Sequence, residues 1–162
     1  MTRTSSILRH GLVALGFALP AALYKRLPDP YPTHWGFSGQ VDGWTPKPLG
    51  PFLVPLAMAL VHGIMLLVER AGRRDEAAIG SRRVLEIVHT ATLALLLLTV
   101  LVGLRVALGG EVDVTRLLLG SVGVFLAVTG NYLGKLRRNR WIGVRTPWTL
   151  ARQAKCCNGM ER

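Results

Sequence analysis

Residues 49–68, LGPFLVPLAMALVHGIMLLV, run for twenty positions without a formal charge. A helix rises ~1.5 Å per residue, so this run covers roughly 30 Å, the thickness of a bilayer's hydrocarbon core. Residues 87–104 and 117–134 add two more uncharged runs of eighteen. A fourth apolar stretch, Gly11 to Tyr24, has only fourteen residues and follows Arg3 and Arg9. Basic residues before a short apolar core are also the pattern of a secretory signal. No small-x-small cleavage site accompanies it, and Ile7, Leu8 and a snorkelling Arg9 lengthen the stretch to a full span. The pattern predicts an all-α fold: a polytopic membrane helix bundle with transmembrane helices near 7–24, 49–68, 87–104 and 117–134.

Charge orients the bundle. The chain has 162 residues, half of them hydrophobic, yet carries a formal net charge of +11. The basic residues lie apart from the apolar runs. The N-terminus, the 69–86 segment (Arg70, Arg73, Arg74, Arg82, Arg83) and the C-terminal tail together hold fifteen of them. The other side holds five: Lys25, Arg26, Lys47, Arg105 and Arg116. Positively charged loops stay in the cytoplasm, so both termini are expected there and the 24-residue loop 25–48 outside. The organisation expected is an N-terminal helical hairpin with its outer loop (1–68), a basic cytoplasmic loop (69–86), a second helical region (87–150) and an atypical tail (151–162).

The outer loop reads KRLPDPYPTHWGFSGQVDGWTPKP. Pro28, Pro30 and Pro32 forbid a helix and favour extended chain. Gly36, Gly39 and the Asp42–Gly43 pair are turn signals. Trp35, Phe37 and Trp44 suit the headgroup level. The expectation is a compact loop over the helix ends, with Asp42 capping a turn and His34 hydrogen-bonded within the loop. One histidine and scattered carboxylates are a weak metal-ligand set. Cys156 and Cys157 are adjacent, without metal-ligand or disulfide spacing. Neither a metal nor another cofactor is expected.

Ionisable groups at membrane depth are functional candidates. His62 and His89 lie within the second and third runs, and Glu86 precedes His89 by three positions, on the same helical face. Such a pair suits a proton relay in a small ion-coupled transporter. The simpler reading places Glu86 at the cytoplasmic boundary, bonded to its neighbours. Asn131 is either inter-helix glue or part of a site, and Gly130–Gly134 has the small-xxx-small spacing of close helix contacts. No nucleophile elbow, zinc-protease helix, phosphate-cradling glycine loop or carboxylate pair occurs, and no acid, base or nucleophile is assignable. Catalysis is not expected.

The segment RRNRWIGVRTPWTL, residues 137–150, follows the last run directly. Anionic headgroups attract each of Lys135, Arg137, Arg138 and Arg140 by about 1 kcal/mol, and Trp141 and Trp148 fit the same interface. Direct nucleic-acid binding is not expected, because the basic residues form no separate reading module. A lipid anchor needs only charge and aromatics, whereas here Asn139, Gly143 and an Arg145-Thr146-Pro147 turn stand in fixed order.

GNYLGKLRRNRWIGVRTPWTL, residues 130–150, closely resembles the signature of the SdpI bacteriocin-immunity family. Asn131, Lys135, Arg137, Asn139, Arg145, Thr146, Pro147 and Trp148 are among the matching positions. The outer loop is similar to that of a domain of unknown function usually fused to this signature, through Pro32, His34, Trp35, Gly39, Asp42 and Trp44. The resemblance implies a multi-pass protein of the bacterial inner membrane, in contact with anionic lipid. It implies immunity to a secreted toxin peptide and, further, signalling by holding a cytoplasmic transcriptional repressor at the membrane. The outer residues would then bind toxin or form the loop's core, and the cytoplasmic ones would dock a partner. After Leu150 the family continues with further helices, whereas ARQAKCCNGMER resembles a truncated end. A structural subunit of a larger membrane complex is the remaining alternative.

Overall fold

In lipid, every backbone N–H and C=O must be satisfied within the chain, so the long apolar runs form helices. The computed structural model describes residues 3–36, 38–71 and 76–133. Helix α1 covers Arg3–Leu23, α2 Leu53–Ala71, α3 Glu76–Ala107 and α4 Val114–Leu133. All four are long and apolar enough to cross a membrane. The chain is a polytopic membrane protein, as its hydropathy pattern predicts.

Two boundaries differ from that pattern. Much of the 69–86 segment, expected as a loop, is helical: α2 runs to Ala71 and α3 starts at Glu76. Charge marks where a helix meets the headgroups; it does not end the helix. At 32 residues, α3 is roughly 48 Å long and exceeds the bilayer core. The outer loop contains strands β1 (Tyr31–Trp35) and β2 (Val41–Thr45), paired antiparallel. Turns at Tyr24–Arg26 and Gly50–Phe52 join this hairpin to α1 and α2.

Helix α3 packs against α1, α2, α4 and β1. The core comprises Leu27, Tyr31, Met58, Leu93, Leu97, Val100 and Leu104. Tyr31 carries the hairpin into it. A Cβ at Gly103 would lie 2.9 Å from the Tyr31 hydroxyl, so the bare backbone of α3 is what admits the ring. Leucines at 56, 60, 67 and 126 point outward, where lipid rather than water solvates them.

The hydroxyls within the helices are satisfied locally. Thr92, Thr99 and Thr129 donate to the carbonyls of Val88, Leu95 and Phe125, four residues back. On α4, Asn131 and Gly130 are exposed, and a Cβ at Gly130 would meet nothing within 4 Å. Among the described residues, Gly130 therefore makes no close helix contact, contrary to its spacing, and exposed Asn131 is not placed as glue between these helices. Its spacing partner Gly134 lies outside the described residues.

Candidate functional site

Two polar constellations stand out, one at each end of the bundle. The first is the hairpin. Tyr31 pairs with Thr45, Pro32 with Trp44, His34 with Gly43 and Trp35 with Val41, with irregularities on either side of His34. Thr33 and Thr45 hydroxyls meet at 2.9 Å. The turn closes through Gly36 N–H to the Gln40 carbonyl and Gly39 N–H to the Gly36 carbonyl, both at 2.9 Å. Gly39 has φ +78°, a conformation that L side chains seldom adopt. At the hairpin's base, Lys47 donates from Nζ to the Leu27 carbonyl at 2.6 Å and from its backbone N–H to Asp29 at 3.1 Å.

Asp42 does not cap a turn. It lies in β2, and its Oδ1 meets His34 Nδ1 across the strands at 2.5 Å. The bulged register is what faces these two side chains. Both are exposed, at 73% for His34 and 51% for Asp42, so the pair contributes little to stability, about 0–1 kcal/mol. Beside it lies an open groove of about 340 Å³. His34, Trp35 and Asp42 line it from the hairpin, and Val114, Leu118 and Leu119 from α4. Trp35 Nε1 is buried without a hydrogen-bond partner among the described residues. An apolar floor with a few polar groups at its rim suits an amphipathic ligand. Trp44 stands outside this groove and is exposed, while Pro32 is buried in β1. Of the six outer-loop positions singled out in sequence, His34, Trp35 and Asp42 converge. Gly39 supports them by letting the turn approach Thr115 of α4, 3.2 Å from where its Cβ would lie.

The second constellation lies inside the bundle, toward its N-terminal end. Arg9 of α1 is wholly buried and does not snorkel. Its Nη1 donates to Glu69 Oε1 of α2 at 2.5 Å and lies 3.0 Å from His89 Nδ1 of α3. His89 Nδ1 is 3.3 Å from the same carboxylate oxygen. On the other ring edge, His89 Nε2 is 3.1 Å from His62 Nδ1. His10 stands edge-on to His62, with ring centroids 4.7 Å apart. The acid that meets His89 is thus Glu69 rather than Glu86, which lies 3.9 Å from Arg82 one helical turn away. Arg9 Nη2, His62 Nε2 and Glu69 Oε2 are buried and make no hydrogen bond among the described residues.

His62 and His89 are legible in the sequence as candidates, whereas Arg9 and Glu69 are not. Each sits near the end of an apolar run, where a charge reads as an interface marker. A usable signal existed: Ile7 and Leu8 precede Arg9 and the apolar stretch from Gly11 follows it, so the charge lies within the span. Among the described residues no group of three metal-binding side chains is placed to hold a metal ion. Lys135, Arg137, Asn139, Arg145, Thr146, Pro147 and Trp148 lie outside the described residues.

Residues 11–59 match a family model described as a domain of unknown function, DUF1648. Over 140 residues, 86% of its length, the chain is 30% identical to the Immunity protein SdpI of Bacillus subtilis (strain 168). It spans 64% of that relative's length, less than two thirds. No solved structure matches it.

Proposed function

We propose, for a chain that belongs to the SdpI-like family of membrane proteins, that its function is immunity to a secreted peptide toxin. The observation that carries this reading is the identity, extending over most of the chain, to an immunity protein. The protein sits in a bacterial inner membrane with both termini cytoplasmic, and the basic-residue bias supports that orientation even with buried Arg9 left out of the count. The hairpin then faces outward, and the groove between it and α4 is where toxin meets the protein. His34 and Asp42 form the polar rim of that contact, and Trp35 its aromatic wall. The cytoplasmic segment 135–148 lies against anionic lipid and docks a transcriptional repressor. Its fixed order of Asn139, Arg145, Thr146, Pro147 and Trp148 supports a shaped contact over a diffuse charge. The protein works by binding and not by catalysis.

Expression in toxin-sensitive cells is expected to raise survival against the cognate peptide. Asp42→Asn with His34→Gln removes the rim's hydrogen-bonded His–Asp pair and is expected to abolish that protection. The same double variant should stay within ~1 kcal/mol of the parent in stability, because the pair is solvent-exposed. Arg145→Ala is expected to abolish protection with membrane insertion intact. Killing curves that do not change on expression, for every toxin tried, would sink the immunity reading; normal protection by the rim variant would remove the groove from it.

A further inference from the structure

The intramembrane constellation is not used by the immunity reading, and its hydrogen bonds admit two proton arrangements. Only one N–H fits between His62 Nδ1 and His89 Nε2, which are 3.1 Å apart. In the first arrangement Arg9 Nη1 donates to His89 Nδ1, His89 Nε2–H donates to His62 Nδ1, and His62 keeps its proton on Nε2. In the second, Arg9 Nη1 keeps its bond to Glu69 and gives up the one to His89, His62 Nδ1–H donates to His89 Nε2, and His89 Nδ1–H donates to Glu69 Oε1, 3.3 Å away. His62 Nε2 is then a bare lone pair, buried and without a partner among the described residues.

We propose that His62, His89 and Glu69 form an intramembrane proton relay, which carries a proton from His62 Nε2 to the Glu69 carboxylate. Starting from the second arrangement, a proton from water binds His62 Nε2. The Nδ1 proton of His62 passes to His89 Nε2, and the Nδ1 proton of His89 passes to Glu69. Both rings end neutral, in the first arrangement, and Glu69 ends as a neutral carboxyl. One proton has entered and one has been stored, with only N–H and O–H bonds exchanged.

The groups facing this path are few on each helix. From α1 come Arg9 and His10, from α2 Glu69 and His62, and from α3 His89. His10 supplies the approach. It is exposed, and its Nδ1–H is committed to the Ser6 carbonyl at 2.7 Å, which leaves its Nε2 free to accept. At the far end, neutralising Glu69 dissolves the ion pair that ties α1 to α2, so proton uptake loosens α1. One atom on each of Arg9, His62 and Glu69 makes no hydrogen bond among the described residues.

The test uses the full chain in phosphatidylcholine–phosphatidylglycerol vesicles, followed by infrared spectroscopy after a drop from about pH 8 to about pH 5, the range in which histidine titrates. A protonated-carboxyl band is expected to appear, and to be absent in Glu69→Gln. His62→Gln is expected to slow its appearance about a hundredfold, the lower range for losing a positioned proton-transfer group. Helicity by circular dichroism confirms that the variants are folded. If Glu69→Gln does not fold, the unmodified chain decides, through ¹⁵N-histidine resonances. The relay requires the proton of His89 to move between Nδ1 and Nε2 as the pH falls. A missing band in the unmodified chain overturns the relay. So does a band that survives Glu69→Gln, unchanged kinetics in His62→Gln, or a His89 proton fixed on one nitrogen. No toxin enters this experiment, so its outcome is independent of the immunity reading.

Discussion

Arg9→Ala is expected to cost about 3–5 kcal/mol of stability, the range for breaking a buried ion pair by removing one partner. The Arg9 and Glu69 side chains are only 1% and 5% exposed, so the orphaned carboxylate would have neither water nor a countercharge. Helix α1 loses its polar tie to α2 and α3 together, because the same guanidinium nitrogen reaches Glu69 and His89. Unfolding in mixed micelles, followed by circular dichroism, gives the loss directly. Arg9→Met combined with Glu69→Met should recover most of it, since apolar replacement of a buried pair is often neutral or stabilising. A single variant within ~1 kcal/mol of the parent would mean that Arg9 reaches headgroups or water after all.

Tyr31→Ala is expected to cost about 3 kcal/mol, as truncation of a buried ring does, and to free the hairpin from α3. Gly103→Leu attacks the same contact from the other side by overpacking, at about 1–3 kcal/mol. Limited proteolysis in the outer loop should rise in both variants, while cleavage at the opposite end of the bundle stays as in the parent. The contact also predicts a pH response. Burial pushes the Tyr31 hydroxyl up from 10.0 to about 12. In the unfolded chain the phenol ionises near its ordinary value, while in the folded chain it stays protonated. The unfolded state therefore binds fewer protons between those two values, and stability falls as pH rises through that window. Tyr31→Phe removes the titrating group and should flatten the loss between about pH 10 and 12. An equal loss in Tyr31→Phe would assign the alkaline sensitivity to another group.

The immunity reading and the relay make separate demands on the molecule. The first concerns the hairpin, where His34 and Asp42 are open to solvent. The second concerns buried groups at the opposite end of α1 and α2. Between them lies the apolar packing around Met58, Leu93 and Leu97. Variants at one end can thus be scored without disturbing the other.

The number and approximate position of the four spans were legible in the sequence, because bilayer thickness turns directly into a run of uncharged residues. Gly36 and Gly39 as turn residues, and the proline-imposed absence of helix in the outer loop, were legible for the same local reason: both act on the dihedrals of their own residues. Gly43, read as a turn signal, instead lies in β2 opposite His34. The strand register was not legible. Bringing His34 to Asp42 depends on irregularities on either side of His34, which no local residue pattern announces. The second site was hidden for a further reason. Arg9 and Glu69 are 60 positions apart, and a charge near the end of an apolar run has the same pattern whether it snorkels or turns inward. Length and hydropathy, read one residue at a time, determined that the described residues hold four helices long and apolar enough to cross a membrane. Only the packing of α1, α2 and α3 decided which charges went inside, because a buried ion becomes tolerable only when its partners arrive from other helices.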